Sequence, residues 1–127
     1  MIVIDASAIV LGLMHDGDAR QALAGDDLAV PHLADAEVAQ ALRAQARRGR
    51  LSSHDAGRTL ERWAQLGVRR EATNGLLGRV WELRDNLSAY DACYAALAEA
   101  LDCALVTADT RMAGAHGPHC PVTLLKS

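Results

Sequence analysis

Apolar and polar positions alternate along the chain in a way that divides it into short strand and helix patterns. Ile2, Val3 and Ile4 form a β-branched run that ends at Asp5, as expected of a strand buried on both faces. Ala6 to Met14 suits a short helix, and Asp18 to Ala24 reads as a second helical piece stopped by Gly25. Leu28 to Val30 predicts a second strand before Pro31. The alanine-rich stretch from Leu33 to about Arg48 has high helix propensity, pairs Val38 with Leu42 at i,i+4 and meets a stop at Gly49.

Ser52 or Ser53 is placed to cap a following helix that carries Leu60, Trp63 and Leu66 and ends near Gly67. Asn74 is placed to cap the next, with Leu77, Val80, Trp81 and Arg84 on one side. From Ser88 to Leu101 the residues Tyr90, Tyr94, Leu97 and Leu101 recur near the helical period. Cys103 to Thr107 reads as a buried strand, Asp109 to Ala113 as a short helix and Val122 to Leu125 as a last strand. This alternation predicts an α/β fold, a single three-layer α/β/α domain over residues 1–127 with a mostly parallel sheet covered on both faces.

Composition adds little to that picture, but charge distribution adds more. Half of the 127 residues are hydrophobic and 23% are charged, ordinary globular usage. Against a formal net charge of −3, ten of the twelve arginines fall between Arg43 and Arg84, where there are only four acids. A basic middle set in an acidic frame predicts that a polyanion docks on one part of the surface while a cation is held on another. Solvated helix faces are the competing explanation of the arginines.

Cys93, Cys103 and Cys120 lack the paired spacing of a zinc site, so reduced thiols are expected. His116, His119 and Cys120 sit among Gly117, Pro118 and Pro121 and read as a loop, short of the four placed ligands of a closed zinc site. No basic residue precedes the apolar amino terminus, which Asp5 interrupts, and no stretch approaches the roughly 20 apolar residues that span a bilayer. The expectation is a soluble, cytoplasmic protein that does not engage a membrane.

In parallel α/β sheets ligands gather beyond the carboxyl ends of the strands. Asp5 directly follows the first strand and Asp109 follows Leu105, Val106 and Thr107, so both belong to one sheet edge if those strands are parallel neighbours. Glu37 and Asp91 are expected in the first turns of helices that begin at the same edge. Each acid also has a purely structural explanation. Asp5 and Asp109 suit helix N-caps, Ser88 to Asp91 has a capping-box pattern, and Glu37 can favour a helix dipole. Together, however, four crowded carboxylates raise one another's pKa unless a cation neutralises them. Hard divalent ions prefer oxygen ligands, and they activate water for phosphodiester cleavage.

Four segments carry a resemblance to a known family. Met1 to Ala8 (MIVIDASA), Ala34 to Ala39 (ADAEVA), Leu87 to Ala92 (LSAYDA) and Leu105 to Arg111 (LVTADTR) resemble, in order and spacing, the motifs of PIN-domain nucleases, and most of all the VapC-type toxins of bacterial toxin-antitoxin pairs. The resemblance spans essentially the whole chain. It implies that Asp5, Glu37, Asp91 and Asp109 are the catalytic, metal-holding quartet, that Ser7 supports the metal site, and that Thr107 is the hydroxyl residue before the last acid. It further implies an Mg2+-dependent endoribonuclease in which Mn2+ substitutes, often a homodimer, with an RNA substrate and a cognate antitoxin whose tail blocks the site. Some relatives carry another acid two positions after the fourth, where this chain has Arg111, and that departure leaves the number of metals open.

Competing classes fit less well. A phosphatase of the haloacid-dehalogenase type needs a second acid after Asp5, and the only lysine, Lys126, is near the carboxyl terminus, far from where a receiver domain needs one. A dinucleotide-binding domain needs a glycine-rich turn after the first strand, which is absent. A catalytically inactive PIN-like module that binds RNA or protein is the remaining alternative. For RNA contact, Arg43, Arg47 and Arg50 are the candidates. The four aromatics, Trp63, Trp81, Tyr90 and Tyr94, have helical spacings that predict packing, so recognition is expected to rest on charge and RNA shape, not base stacking.

Overall fold

The computed structural model describes every residue from Met1 to Ser127. Five strands, β1 (Ile2–Ile4), β2 (Leu28–Pro31), β3 (Arg69–Glu71), β4 (Ala104–Thr107) and β5 (Val122–Leu124), form one sheet in the order β3-β2-β1-β4-β5. Every pairing is parallel. Between them run α1 (Ala6–Met14), α2 (Asp18–Gly25), α3 (Leu33–Arg47), α4 (Ser53–Gln65), α5 (Leu77–Glu82), α6 (Ala89–Ala100) and α7 (Thr110–Ala113).

The chain moves outward from β1 through β2 to β3, then returns past β1 to β4 and β5. Right-handed crossovers then put the helices of the outward and return connections on opposite faces. The contacts agree. α1 packs with α2, α3 and α4, whereas α6 lies across β1, β2 and β4 beside α5. The strand order reverses between β1 and β4, and in such sheets a crevice opens there beyond the carboxyl ends.

Val3, Ile4, Ala29, Val30 and Leu105 are fully enclosed, which is why their strands read as unbroken apolar runs. Every residue of α6 from Ala92 to Ala98 is buried, and its alanines let the helix lie close to the sheet. Between α1 and α2, a Cβ on Gly12 would stand 2.9 Å from the backbone of Ala19, so only glycine permits this approach.

Two expectations need correction. The sequence pattern predicts no strand at Arg69 to Glu71, in the helical middle of the chain, yet this segment is an edge strand, paired with β2 from Ala29↔Arg69 to Pro31↔Glu71. Asn74 does not cap a helix. Asn74–Leu76 is a 3-10 turn that leads into the six-residue α5. The other boundaries fall within a residue or two of expectation, with Ser52 and Ser88 as the caps of α4 and α6.

The polar edge strand is held by Asp35 in the first turn of α3. Its carboxylate accepts the Nε–H of Arg70 at 2.9 Å and the indole N–H of Trp63 at 2.8 Å. The Arg70 guanidinium also stacks over the Trp63 ring, 5.3 Å from its centroid. One carboxylate thereby ties α3, α4 and β3 together, and the Arg70 hydrogen bond holds its pKa below the ordinary value. Asp35→Ala leaves the buried Trp63 indole N–H without an acceptor and should cost about 1–3 kcal/mol in urea unfolding. A loss under about 0.5 kcal/mol, typical of a surface substitution, would show that the indole does not depend on Asp35.

Candidate active site

The crevice between β1 and β4 gathers the acids singled out in the sequence. Asp5 leaves β1 in extended conformation and caps α1 through a 3.1 Å hydrogen bond from the Ala8 N–H to Oδ1. The Ser7 hydroxyl donates to the same oxygen at 2.6 Å, and the Thr107 hydroxyl donates to Oδ2. Thr107 Oγ1 in turn accepts the Asp109 N–H at 3.0 Å, and Ser7 Oγ accepts the Ala108 N–H at 3.0 Å. Ser7 and Thr107 therefore stitch the ends of β1 and β4 together around a carboxylate that is only 4% exposed.

Glu37 is the fifth residue of α3, one turn further in than expected, and its Oε1 accepts the Tyr94 hydroxyl at 2.6 Å. Asp91 is the third residue of α6. The Ser88 hydroxyl oxygen accepts its N–H at 3.1 Å, as a cap should, while its carboxylate faces Arg111 Nη2 at 3.6 Å. Asp109 caps α7 by accepting the Arg111 N–H at 2.9 Å, and its other oxygen stands 3.2 Å from the same Nη2. Capping and proximity are thus both present: Asp5 and Asp109 are N-caps, Asp5 lies near enough to Asp91 and Glu37 for their charges to interact, and Asp109 shares Arg111 with Asp91.

The electrostatics divide these acids into two groups. Burial pushes the Asp5 carboxyl above its ordinary value against the hydrogen bonds from Ser7, Thr107 and Ala8, and the Asp91 charge adds to the rise. Burial likewise raises Glu37, partly offset by Tyr94 and reinforced by Asp91 and Asp5. Burial and Glu37 together push the Tyr94 phenol far above its usual range. For Asp109 burial acts upward, but the Arg111 side chain and the amides of Arg111 and Met112 outweigh it and hold the carboxyl low.

An all-oxygen donor set in which burial and a neighbouring charge raise Asp5 and Glu37 suits a hard divalent cation. No three histidine, cysteine, aspartate or glutamate side chains stand close enough to share one ion as they lie; Glu37 is turned to Tyr94 and Asp109 to Arg111. His116, His119 and Cys120 form no such group either. The loop there is held by Glu99, which accepts the His119 N–H and pairs with Arg79.

Arg43, Arg47 and Arg50 lie towards or beyond the far end of α3 from Glu37, so the structure does not bring the first two to the acids. Ten helical residues separate Glu37 from Arg47, about 15 Å along the axis. Arg50 differs, because it lines a groove of about 920 Å³ together with Ser7, Thr110, His15 and Lys126. The prediction that all four aromatics pack holds for Trp63 and Tyr94 but fails for Trp81 and Tyr90, which are 68% and 66% exposed. Trp81 carries the Arg84 guanidinium 4.7 Å from its ring centroid and Tyr90 projects from the first turn of α6, so an aromatic contact with a ligand is available after all. Helical spacing assigns Tyr94 only a packing role. Its i+3 spacing from Asp91 was the available sign that its hydroxyl reaches the acids.

A parallel α/β sheet with carboxylates assembled at its β1/β4 switch point defines the class. The PIN domain family model matches residues 2–117, and the chain belongs to the PIN domain family. Among curated relatives, Ribonuclease VapC9 of Mycobacterium tuberculosis is 53% identical over 125 residues, covering 98% of each chain, which puts the chain with the VapC ribonucleases. Among solved structures, PAE2754 from Pyrobaculum aerophilum has a TM-score of 0.72 at 27% identity, over 96% of this chain and 82% of that one. VapBC2 from Rickettsia felis, solved bound to a DNA fragment from its promoter, shares the fold with a TM-score of 0.69 at 14% identity, over 96% of this chain and 97% of that one.

The raised Asp5 pKa has a consequence for stability in chelator. A carboxyl whose folded pKa lies above its unfolded value, here 3.8, stabilises the fold at low pH and loses that contribution as pH rises through the folded pKa. The amide introduced by Asp5→Asn does not ionise. The stability of Asp5→Asn relative to the original protein should therefore improve as pH rises from 3.8 through the folded pKa, and then level off. Urea unfolding at several pH values measures this, and a pH-independent difference would mean that Asp5 is not destabilised by its burial.

Proposed function

We propose that the chain is a divalent-metal-dependent endoribonuclease that acts in the cytoplasm as the toxin of a toxin-antitoxin pair. The observation that carries this reading is the meeting of Asp5, Glu37 and Asp91, where burial and the Asp91 charge raise both Asp5 and Glu37, beside Asp109 at the switch point of a PIN-family sheet. The VapC ribonuclease relatives support RNA as the substrate.

In this reading Asp5, Glu37 and Asp91 would hold Mg2+, or Mn2+ in its place, and Asp109 completes the acidic pocket through its pair with Arg111. Such an ion supplies a nucleophilic water near neutral pH and neutralises charge on the phosphate. Ser7 and Thr107 keep the Asp5 carboxylate in one orientation through hydroxyl donors that do not titrate. Tyr94 stays protonated and fixes Glu37. Arg50, His15 and Lys126 line the groove that also includes Ser7, and we assign them to the RNA backbone, with Arg43 and Arg47 extending the basic surface. A cognate antitoxin and a homodimer complete the assembly. Leu77, Trp81 and Tyr90 are exposed apolar surface available to it.

Asp5→Asn and Asp109→Asn should each abolish cleavage of mixed RNA in manganese while leaving a folded protein, and the double variant should lose little more, because residues acting as a unit are not additive. The original protein should be silent in chelator. Undiminished cleavage by folded Asp5→Asn would overturn the assignment, and absence of any cleavage in manganese would favour the inactive binding module.

A further inference from the structure

We propose that Arg111 is a positioning residue that serves as a tethered cation in place of a second metal, so that each chain takes one divalent ion. The inference rests on the metal-dependent reading above and concerns how the four acids share positive charge.

Arg111 is anchored at both ends. Its N–H is bound by Asp109 Oδ1, which fixes the residue in the first turn of α7. Its Nη2 then stands 3.2 Å from Asp109 Oδ2 and 3.6 Å from Asp91 Oδ2, so one nitrogen bridges carboxylates that come from α6 and from the loop after β4. A guanidinium placed between two carboxylates takes up donor oxygens that a second ion would need, and its charge repels that ion.

The other half of the crevice has no such partner. Asp5 and Glu37 receive hydrogen bonds from Ser7, Thr107, Ala8 and Tyr94, all neutral donors, and neither carboxylate is paired with a cation. Asp91 borders both halves, since its charge acts on Asp5 and Glu37 while its Oδ2 meets Arg111. The only uncompensated place for a divalent ion is therefore the Asp5, Glu37 and Asp91 side. A merely structural ion pair explains less, because the Arg111 side chain is 79% exposed and such pairs contribute little to folding.

The test counts bound ions. The full chain, stripped with chelator, is titrated with Mn2+ by calorimetry, and bound ions are followed by electron paramagnetic resonance. The unaltered protein and Arg111→Lys should bind one ion each. Arg111→Ala and Arg111→Asp should bind two, and their spectra should carry the broadening of a coupled manganese pair. Circular dichroism melting establishes that each variant is folded. Two ions in the unaltered protein, or one ion of unchanged affinity in both Arg111→Ala and Arg111→Asp, would overturn the inference while leaving metal-dependent cleavage intact. No ion bound by the unaltered protein would overturn that reading and this inference with it.

Discussion

The placement of one buried carboxylate, Asp5, governs the whole carboxyl edge of the sheet. It ends the central strand, starts α1 as its N-cap, and through Ser7 and Thr107 joins the ends of β1 and β4. Burying a carboxylate is unfavourable unless donors or a cation compensate it. Three hydrogen bonds hold its geometry, yet burial still keeps its pKa raised, so its ionised form carries a cost that a proton or a nearby cation relieves. The Asp91 charge adds to that cost for Asp5 and Glu37 alike, and Arg111 offsets charge only on the Asp91 and Asp109 side. The proposed preference of the site for a cation would thus be built from the backbone outward.

Much of this was readable in the chain. The strands β1 and β4 are apolar runs enclosed on both faces, and each is followed by an acid at the position where parallel sheets collect ligands. Serines ahead of α4 and α6 mark where those helices start. What escaped has physical causes. β3 consists of Arg69, Arg70 and Glu71, with no apolar pattern, because an edge strand needs only one neighbour and its cover comes from Asp35 and Trp63. Trp81 and Tyr90 recur at helical spacing, but a six-residue helix and a first turn bury too little of their circumference for spacing to say which residues face inward.

Within the proposed site, the sequence names candidates but not their side-chain partners. Short motifs single out the four acids, Ser7 and Thr107, whereas the Tyr94 bond to Glu37 and the Arg111 bridge depend on how α3, α6 and α7 meet in space. The excess of arginine between Arg43 and Arg84 proved to have mixed uses. Arg70 and Arg79 pair with acids to hold the fold, Arg84 lies on Trp81, and Arg50 lines a groove that also includes Ser7. Net charge in a segment therefore overstated what is free to meet a polyanion.

The central claim is that this edge of the sheet holds a divalent cation through the carboxylates assembled around Asp5. Anomalous scattering from a crystal grown in manganese tests it most directly. The account predicts a peak within coordination reach of the Asp5, Glu37 and Asp91 carboxylates, with Arg111 still bridging Asp91 and Asp109. A crystal with no peak there, or with its manganese only beside His116 and His119, would contradict it.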